Sequence, residues 1–317
     1  MVEELIARLA QVMGSLDGDA EAILIDDGST DRTFELMLTA AKADPRFKLV
    51  RLSRNFGHQI ALTAGLDLAD GDAVIVLDAD LQDPLEVVLE LAARWREGYD
   101  VVYAVRDERE GETRFKRATA SAFYRGFNRI SDVQVPLDVG DFRLIDRRVL
   151  DVFSQMRESN RFVRGMFSWI GLRQTGVPYR RDKRFAGETK YPLRRMLRFA
   201  SQGVISFSNA PLRAALNLGF IVSLAGFLFA AFAVVAKLTG AYTIPGWTSV
   251  VLATTLIGGV QLIILGIIGE YIADIHTEVK RRPLYVVSDL ENFPSNPSVP
   301  SRGILVSPQT RARSAER

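Results

Sequence analysis

Apolar positions in the first 180 residues alternate between two spacings. Residues 3–16 repeat at helical spacing, and Ala22–Ile25 (AILI) follows as a short continuous apolar run. The alternation continues with a helix over 31–43, a strand over Phe47–Leu52, a helix over 58–69 and a strand over Ala73–Leu77 (AVIVL). A helix over 84–97 and a strand over Asp100–Ala104 complete it. Short β-branched runs between amphipathic helices predict an α/β domain with a Rossmann-like, mostly parallel sheet covered on both faces. The chain opens on a helix, whereas a right-handed crossover into AILI presupposes an earlier parallel strand. Either a strand has been lost or the sheet edge is unusual.

Past residue 187 the pattern changes. Ala214–Ala236 carries no charge, and neither does Thr248–Gly269. Each exceeds the roughly 20 residues a helix needs to cross a ~30 Å hydrocarbon core. They predict a transmembrane hairpin over 214–273, with spans at about 214–236 and 248–270. Arg194, Arg195, Arg198 and Arg213 precede it and Lys280, Arg281 and Arg282 follow, whereas the intervening loop carries only Lys237. The positive-inside rule then puts both termini, and the domain over 1–187, on the cytoplasmic side. Tyr242 and Trp247 suit the outer interface. Residues 188–213 mix Arg with Leu, Phe, Ile and Val, which predicts an amphipathic segment lying in the membrane surface. In the cytosolic segment 274–317, a short strand at LYVV precedes a Ser/Pro/Arg-rich tail expected to be disordered after about 290.

Composition narrows the functional classes. Forty Lys+Arg against 38 Asp+Glu leave +2, too balanced for a nucleic-acid binder. With no cysteine, disulfides and thiolate metal sites are excluded. The first 16 residues are amphipathic and acidic, unlike a signal peptide, so insertion is expected to depend on the hairpin.

Ligands of α/β sheets bind beyond the carboxyl ends of the strands, where two acidic motifs fall. Asp26-Asp27-Gly28-Ser29-Thr30-Asp31 follows AILI, and Asp78-Ala79-Asp80-Leu81-Gln82-Asp83-Pro84 follows AVIVL. An Asp-x-Asp at a strand end concentrates the hard oxygens a divalent cation needs while it also binds substrate phosphates. Gln82 adds a neutral oxygen. Ser29 or Thr30 can cap the next helix, but capping leaves two adjacent carboxylates, Asp26 and Asp27, unexplained. A nucleotide pocket accounts for them better. His58 follows an Asn-Phe-Gly turn without metal-ligand spacing, and His276 falls at the inner membrane boundary; neither is expected to be catalytic.

The ordered series DDGSTDRT, LSRNFGHQIALTAGLD, DADLQDP, VGDFRLIDRRVL, RFAGETKY and GEYIADIHTEVKRRPLYVV spans about Leu5 to Val287. It resembles the family 2 glycosyltransferases of GT-A fold, particularly the polyprenyl-phosphate enzymes: bactoprenol glucosyltransferases of the GtrB type and dolichyl-phosphate mannose synthases. The resemblance implies a first strand carrying Pro-x-Tyr-Asn-Glu, which this sequence lacks. It implies that Asp78, Asp80 and Gln82 hold Mg2+ or Mn2+ with the donor diphosphate, and that Asp26 and Asp27 serve the nucleotide. Arg106, and Arg117 with Ser121 one helical turn apart, match its acceptor-phosphate site. Asp141 matches an acid near the sugar that orients donor or acceptor, with a base role also open. Arg184 and Lys190, with Gly187 between them, suit either a loop over the diphosphate or attraction to anionic lipid.

The function so implied is inverting, metal-dependent transfer of a hexose from a nucleotide sugar, with UDP-glucose favoured, to undecaprenyl or another polyprenyl phosphate. Its setting would be the cytoplasmic face of a bacterial inner membrane. A polyprenyl-phosphate mannose or N-acetylhexosamine synthase is the near alternative. A processive polysaccharide synthase fits less well, because its Gln-x-x-Arg-Trp motif is absent and Arg161-Phe162-Val163-Arg164-Gly165 occupies the comparable region. An inactive membrane scaffold is the remaining reading. Small residues such as Gly258-Gly259 suit packing of the hairpin into a homo-oligomer.

Overall fold

The structure, a computed structural model, describes residues 1–106, 139–180, 208, 210–239, 246–294, 297, 300 and 302–305. The first four strands, β1 (Ala22–Asp26), β2 (Phe47–Leu52), β3 (Ala73–Val76) and β4 (Val101–Arg106), form where the apolar runs predict them. Helices α1 (Val2–Ser15), α2 (Thr33–Ala43), α3 (His58–Leu68) and α4 (Val87–Arg96) alternate with them. Then come β5 (Val139–Asp146), α5 (Arg147–Phe153), α6 (Val163–Ile170) and β6 (Gln174–Tyr179).

The strands form two four-stranded sheets, ordered β1-β2-β7-β8 and β3-β5-β4-β6, where β7 is Tyr285–Glu291 and β8 is Gly303–Leu305. Both are mixed rather than mostly parallel. Pairs β1/β2, β4/β6 and β7/β8 are parallel, whereas β2/β7, β3/β5 and β4/β5 are antiparallel. A buried apolar run reads alike in either direction, so its composition does not reveal that β5 and β7 enter reversed. β8 also corrects the expectation of a structureless tail after about 290: its backbone pairs with Tyr285–Val287.

Two helices tie the sheets together. α1 sends Ile6, Leu9 and Met13 into the core of the first sheet and Val12 into that of the second. α3 does the same with Ala61, Ala64 and Leu68 on one side and Leu66 on the other.

Helices α7 (Ala210–Leu238) and α8 (Trp247–Val279) pack side by side. Both are long and apolar enough to cross a membrane, over Ala210–Ala236 and Leu256–Val279. Phe220, Phe227, Leu262 and Ile263 are among their exposed apolar side chains, a surface suited to lipid. α8 continues beyond the expected end at 270 and meets the α/β domain there. Ser159 N donates to Glu278 Oε2 at 2.7 Å, Arg302 Nη1 to Glu278 Oε1 at 2.6 Å, and Asn160 Nδ2 to Asp274 Oδ1.

Candidate functional site

The ends of β1, β3, β4 and β5 and the start of α3 supply the site. Asp141, on β5, is 4% exposed and lies at its centre. Arg164 of α6 grips it from one side, Nε to Oδ1 at 2.7 Å and Nη2 to Oδ2 at 3.2 Å. His58 Nε2 lies 3.0 Å from Asp141 Oδ2 on the other, and Gln59 Nε2 reaches the same oxygen at 3.4 Å. Gln59 in turn accepts from Val163 N through Oε1 at 3.0 Å, so α3 and α6 are locked together around the acid. Burial opposes ionisation of Asp141, but the His58 hydrogen bond and the Arg164 charge outweigh it and hold the carboxyl well below the usual carboxylate range. The bond to Asp141 likewise raises the His58 pKa above its ordinary value, against the opposing effect of burial.

This corrects the reading of His58. The structure puts it in the site, 3.0 Å from Asp141 and 3.8 Å from Asp78 Oδ1. Ligand atoms of His58, Asp78 and Asp141 lie within 4.8 Å of one another. Gly57, at φ 97°, turns the chain out of the segment after β2 so that α3 starts at the strand-end rim. The available signal was the position of SRNFGH after a strand, as with both acidic motifs.

The loop after β3 is held by its own groups. Gln82 N donates to Asp80 Oδ1 at 3.1 Å, and buried Leu81 adopts φ 57°, a left-handed conformation costly for a branched side chain. Burial, and then the carboxylates of Asp141, Asp83 and Asp80, raise the Asp78 pKa, with the His58 charge opposing. Such crowding of hard oxygen donors fits a divalent cation.

Arg106 ends β4, and its Nε donates to Tyr179 Oη at 3.4 Å; Tyr179 Oη donates to buried Asp83 Oδ1 at 2.5 Å. Gly140 leaves the room Arg106 occupies, since a Cβ there would lie 2.9 Å from Arg106 Nη2. Arg143, buried beside Asp141, donates to Gly140 O at 2.9 Å, and burial pulls its pKa down to about 10.

The Asp26-Asp27 pair divides. Asp27 accepts from Phe56 N at 2.7 Å and Gly57 N at 2.9 Å, bracing the turn that presents His58. Asp26 accepts from Ser29 N at 3.0 Å through Oδ1, whereas its buried Oδ2 has no hydrogen-bond partner and faces Arg51 Nε at 3.4 Å. The Arg51 guanidinium lies over the Phe34 ring at 4.0 Å. Gly28, at φ 71°, is required here: a Cβ would lie 2.6 Å from the Arg54 carbonyl carbon.

The structure thus brings Asp78, Asp80, Gln82, Arg106 and Asp141 to one rim, with Asp26 and Asp27 at the neighbouring strand end. Arg117, Ser121, Arg184 and Lys190 lie outside the described residues. Beyond them the structure adds His58, Gln59, Arg164 and Tyr179. Arg164 falls in the segment comparable to the Gln-x-x-Arg-Trp region, a signal that its sequence position contained.

Comparison with known proteins identifies the family. The model of the family described as Glycosyl transferase family 2 matches residues 1–153. The uncharacterized glycosyltransferase YkcC of Bacillus subtilis (strain 168) is 48% identical over 287 residues, covering 90% of this chain and 89% of its own. The SfII prophage-derived bactoprenol glucosyl transferase of Shigella flexneri is 40% identical over 269 residues, covering 85% and 87%. Among solved structures, mannosyltransferase PcManGT from Pyrobaculum calidifontis, in complex with GDP-Man and Mn2+, is 19% identical and covers 87% of this chain and 83% of its own, with a TM-score of 0.45. The chain belongs to glycosyl transferase family 2 and is a glycosyltransferase.

Proposed function

We propose that this enzyme transfers a hexose, glucose from UDP-glucose, to undecaprenyl or another polyprenyl phosphate at the cytoplasmic face of a bacterial inner membrane, with inversion at the anomeric carbon. The observation that carries this reading is Arg106, bridged to Asp83 through the Tyr179 hydroxyl and packed against Gly140 next to Asp141, on a chain that also bears an apolar hairpin. A lipid phosphate cannot leave the bilayer cheaply, so its acceptor site has to sit near one. A relative named bactoprenol glucosyl transferase, 40% identical over most of this chain, supports both the acceptor class and the sugar.

Arg106 receives the acceptor phosphate, joined by Arg117 and Ser121. A phosphate monoester has a second pKa of about 6 and is largely dianionic near neutrality, so it needs no strong base to attack. This fits Asp141, whose oxygens are already occupied by Arg164, His58 and Gln59. Asp141 serves as a fixed anion that orients the donor sugar. Asp78 and Asp80, with Gln82, would hold Mg2+ or Mn2+, which when bound supplies positive charge to the departing diphosphate. Arg184 and Lys190 cover that diphosphate. Asp26, whose Oδ2 pairs with Arg51, serves the nucleotide, whereas Asp27 braces the turn behind it.

The test uses membranes containing the full chain, undecaprenyl phosphate, a divalent cation and one of UDP-glucose, UDP-N-acetylglucosamine or GDP-mannose. Undecaprenyl-phosphate glucose should form, and chelation of the cation or Asp80→Ala should abolish it. Full activity in Asp80→Ala would sink the metal assignment. Product from another donor alone would replace the sugar assignment.

A further inference from the structure

The Tyr179 hydroxyl joins two parts of the site that sequence reading treats separately. It donates to Asp83 Oδ1, in the loop that begins with Asp78 and Asp80, and accepts from Arg106 Nε. β4 and β6 run parallel with Arg106 opposite Tyr179, so the contact is set by strand register rather than by a flexible loop. The Tyr179 ring is fixed edge-on against Phe142, with centroids 5.8 Å apart, and Phe142 directly follows Asp141. Gly140 provides the space on the other side of the guanidinium.

We infer that Tyr179 is a positioning residue for acceptor phosphate: it aims the Arg106 guanidinium and ties that aim to the donor-side loop through Asp83. Three features argue for this. Arginine has four stem torsions, and without a second anchor its fork would sample many directions, at a cost in rotamer entropy on binding. Asp83 is 5% exposed, so the tyrosine end of the bridge is fixed inside the protein. The hydroxyl also stays protonated: burial, then its bond to Asp83, pushes the Tyr179 pKa up to about 12. It can therefore donate to Asp83 and accept from Arg106 throughout the neutral range. The inference rests on the proposed acceptor site at Arg106.

Tyr179→Phe keeps the ring and its contact with Phe142 and removes only the bridge. The experiment measures binding of undecaprenyl phosphate, with undecaprenol as control, to the full chain in lipid nanodiscs, together with binding of UDP in the presence of Mn2+. We expect Tyr179→Phe to weaken undecaprenyl-phosphate binding by roughly 10- to 150-fold, the range for losing a hydrogen bond to a charged group. Undecaprenol and UDP binding should stay within about twofold. Arg106→Ala should weaken the phosphate further, and adding Tyr179→Phe to it should change nothing more, because the tyrosine acts through the arginine. Unchanged phosphate binding in Tyr179→Phe, or additive losses in the double variant, would overturn the positioning role. A uniform loss of all three ligands with a lowered melting temperature would reduce Tyr179 to a structural residue. If the wild-type chain fails to distinguish undecaprenyl phosphate from undecaprenol, the acceptor reading itself falls, an outcome distinct from the others.

Discussion

Arg164 holds Asp141 in a two-pronged grip, with Nε and Nη2 each donating to a different carboxylate oxygen, at 2.7 and 3.2 Å. The acid is almost wholly buried and the arginine about a quarter exposed, at 3% and 27% of their side chains. Removing Arg164 leaves the buried acid to His58 and Gln59 alone, and removing Asp141 takes the paired carboxylate from the arginine. Breaking a fully buried pair in this way costs about 3–5 kcal/mol; the exposure of Arg164 reduces the expected cost of Arg164→Ala to about 2 kcal/mol. Arg164→Lys keeps the charge but loses the fork, so it should restore stability more than activity. Denaturation midpoints and transfer rates for Arg164→Ala, Arg164→Lys, Asp141→Asn and the double variants check this. Additive losses would show that the two residues do not act as one unit.

The pH dependence of stability follows from the same group. Asp141 titrates below its ordinary range in the folded chain, so its contribution is present above about pH 4 and is lost as pH falls from there. The His58 pKa is raised, so its contribution is fully present below about pH 6.5 and is lost as pH rises through the elevated value. Their ion pair therefore stabilises most in the mildly acidic window between. Melting temperatures taken from pH 2 to 9 should show His58→Gln losing part of the decline on the alkaline side and Asp141→Asn part of the decline below about pH 4. Parallel curves for wild type and His58→Gln would exclude the pairing.

Residues acting within a short stretch were the ones legible in the chain. Asp78 and Asp80 announce themselves because they closely follow an apolar strand, and the two long apolar helices are visible in their uncharged runs. His58 and Arg164 were not legible as site residues. They reach Asp141 across 83 and 23 positions, and only the paired strands and the bridging α3 bring them there. The division of labour between Asp26 and Asp27 was hidden for a related reason. It depends on which carboxylate meets the backbone of Phe56 and Gly57, some 30 residues on. Strand direction escaped as well, since β5 is buried along nearly its whole length and carries no alternation to read.

A second buried polar tie fastens the segment that returns from the hairpin. Tyr285 Oη, on β7, donates to Asp67 Oδ2 on α3 at 2.7 Å, and Arg157 Nη1 donates to both Asp67 oxygens at 2.8 Å. Tyr285→Phe keeps the packed ring and removes one hydrogen bond to a charge, at a cost of about 1.5–3 kcal/mol. Asp67→Ala should cost more, about 3–5 kcal/mol, because it leaves Arg157 buried without its carboxylate. Thermal denaturation of the detergent-solubilised protein measures both. Equal effects from the two substitutions would mean that the charge on Asp67 contributes nothing beyond its bond to the tyrosine.

The last prediction concerns how the site is held relative to the membrane. The nine residues Tyr271–Val279 extend α8 beyond Glu270 by about 14 Å at the α-helical rise. At the end of that extension, Glu278 accepts from Ser159 N and Arg302 Nη1, and Arg302 Nη2 also donates to Ser159 Oγ at 2.7 Å. Ser159 belongs to the link between α5 and α6, and α6 carries Arg164. The clasp thus connects the hairpin to the helix that grips Asp141. Glu278 is half exposed, so Glu278→Ala should cost less than about 1 kcal/mol of stability. Its effect should be geometric instead, because small displacements of reacting groups are costly in rate. We expect transfer to undecaprenyl phosphate embedded in nanodiscs to fall about fivefold. Transfer to a short, water-soluble prenyl phosphate, which can reach the site without the bilayer, should stay within about twofold. Equal losses with both acceptors would assign the clasp to stability alone, and no loss with either would remove it from the catalytic geometry.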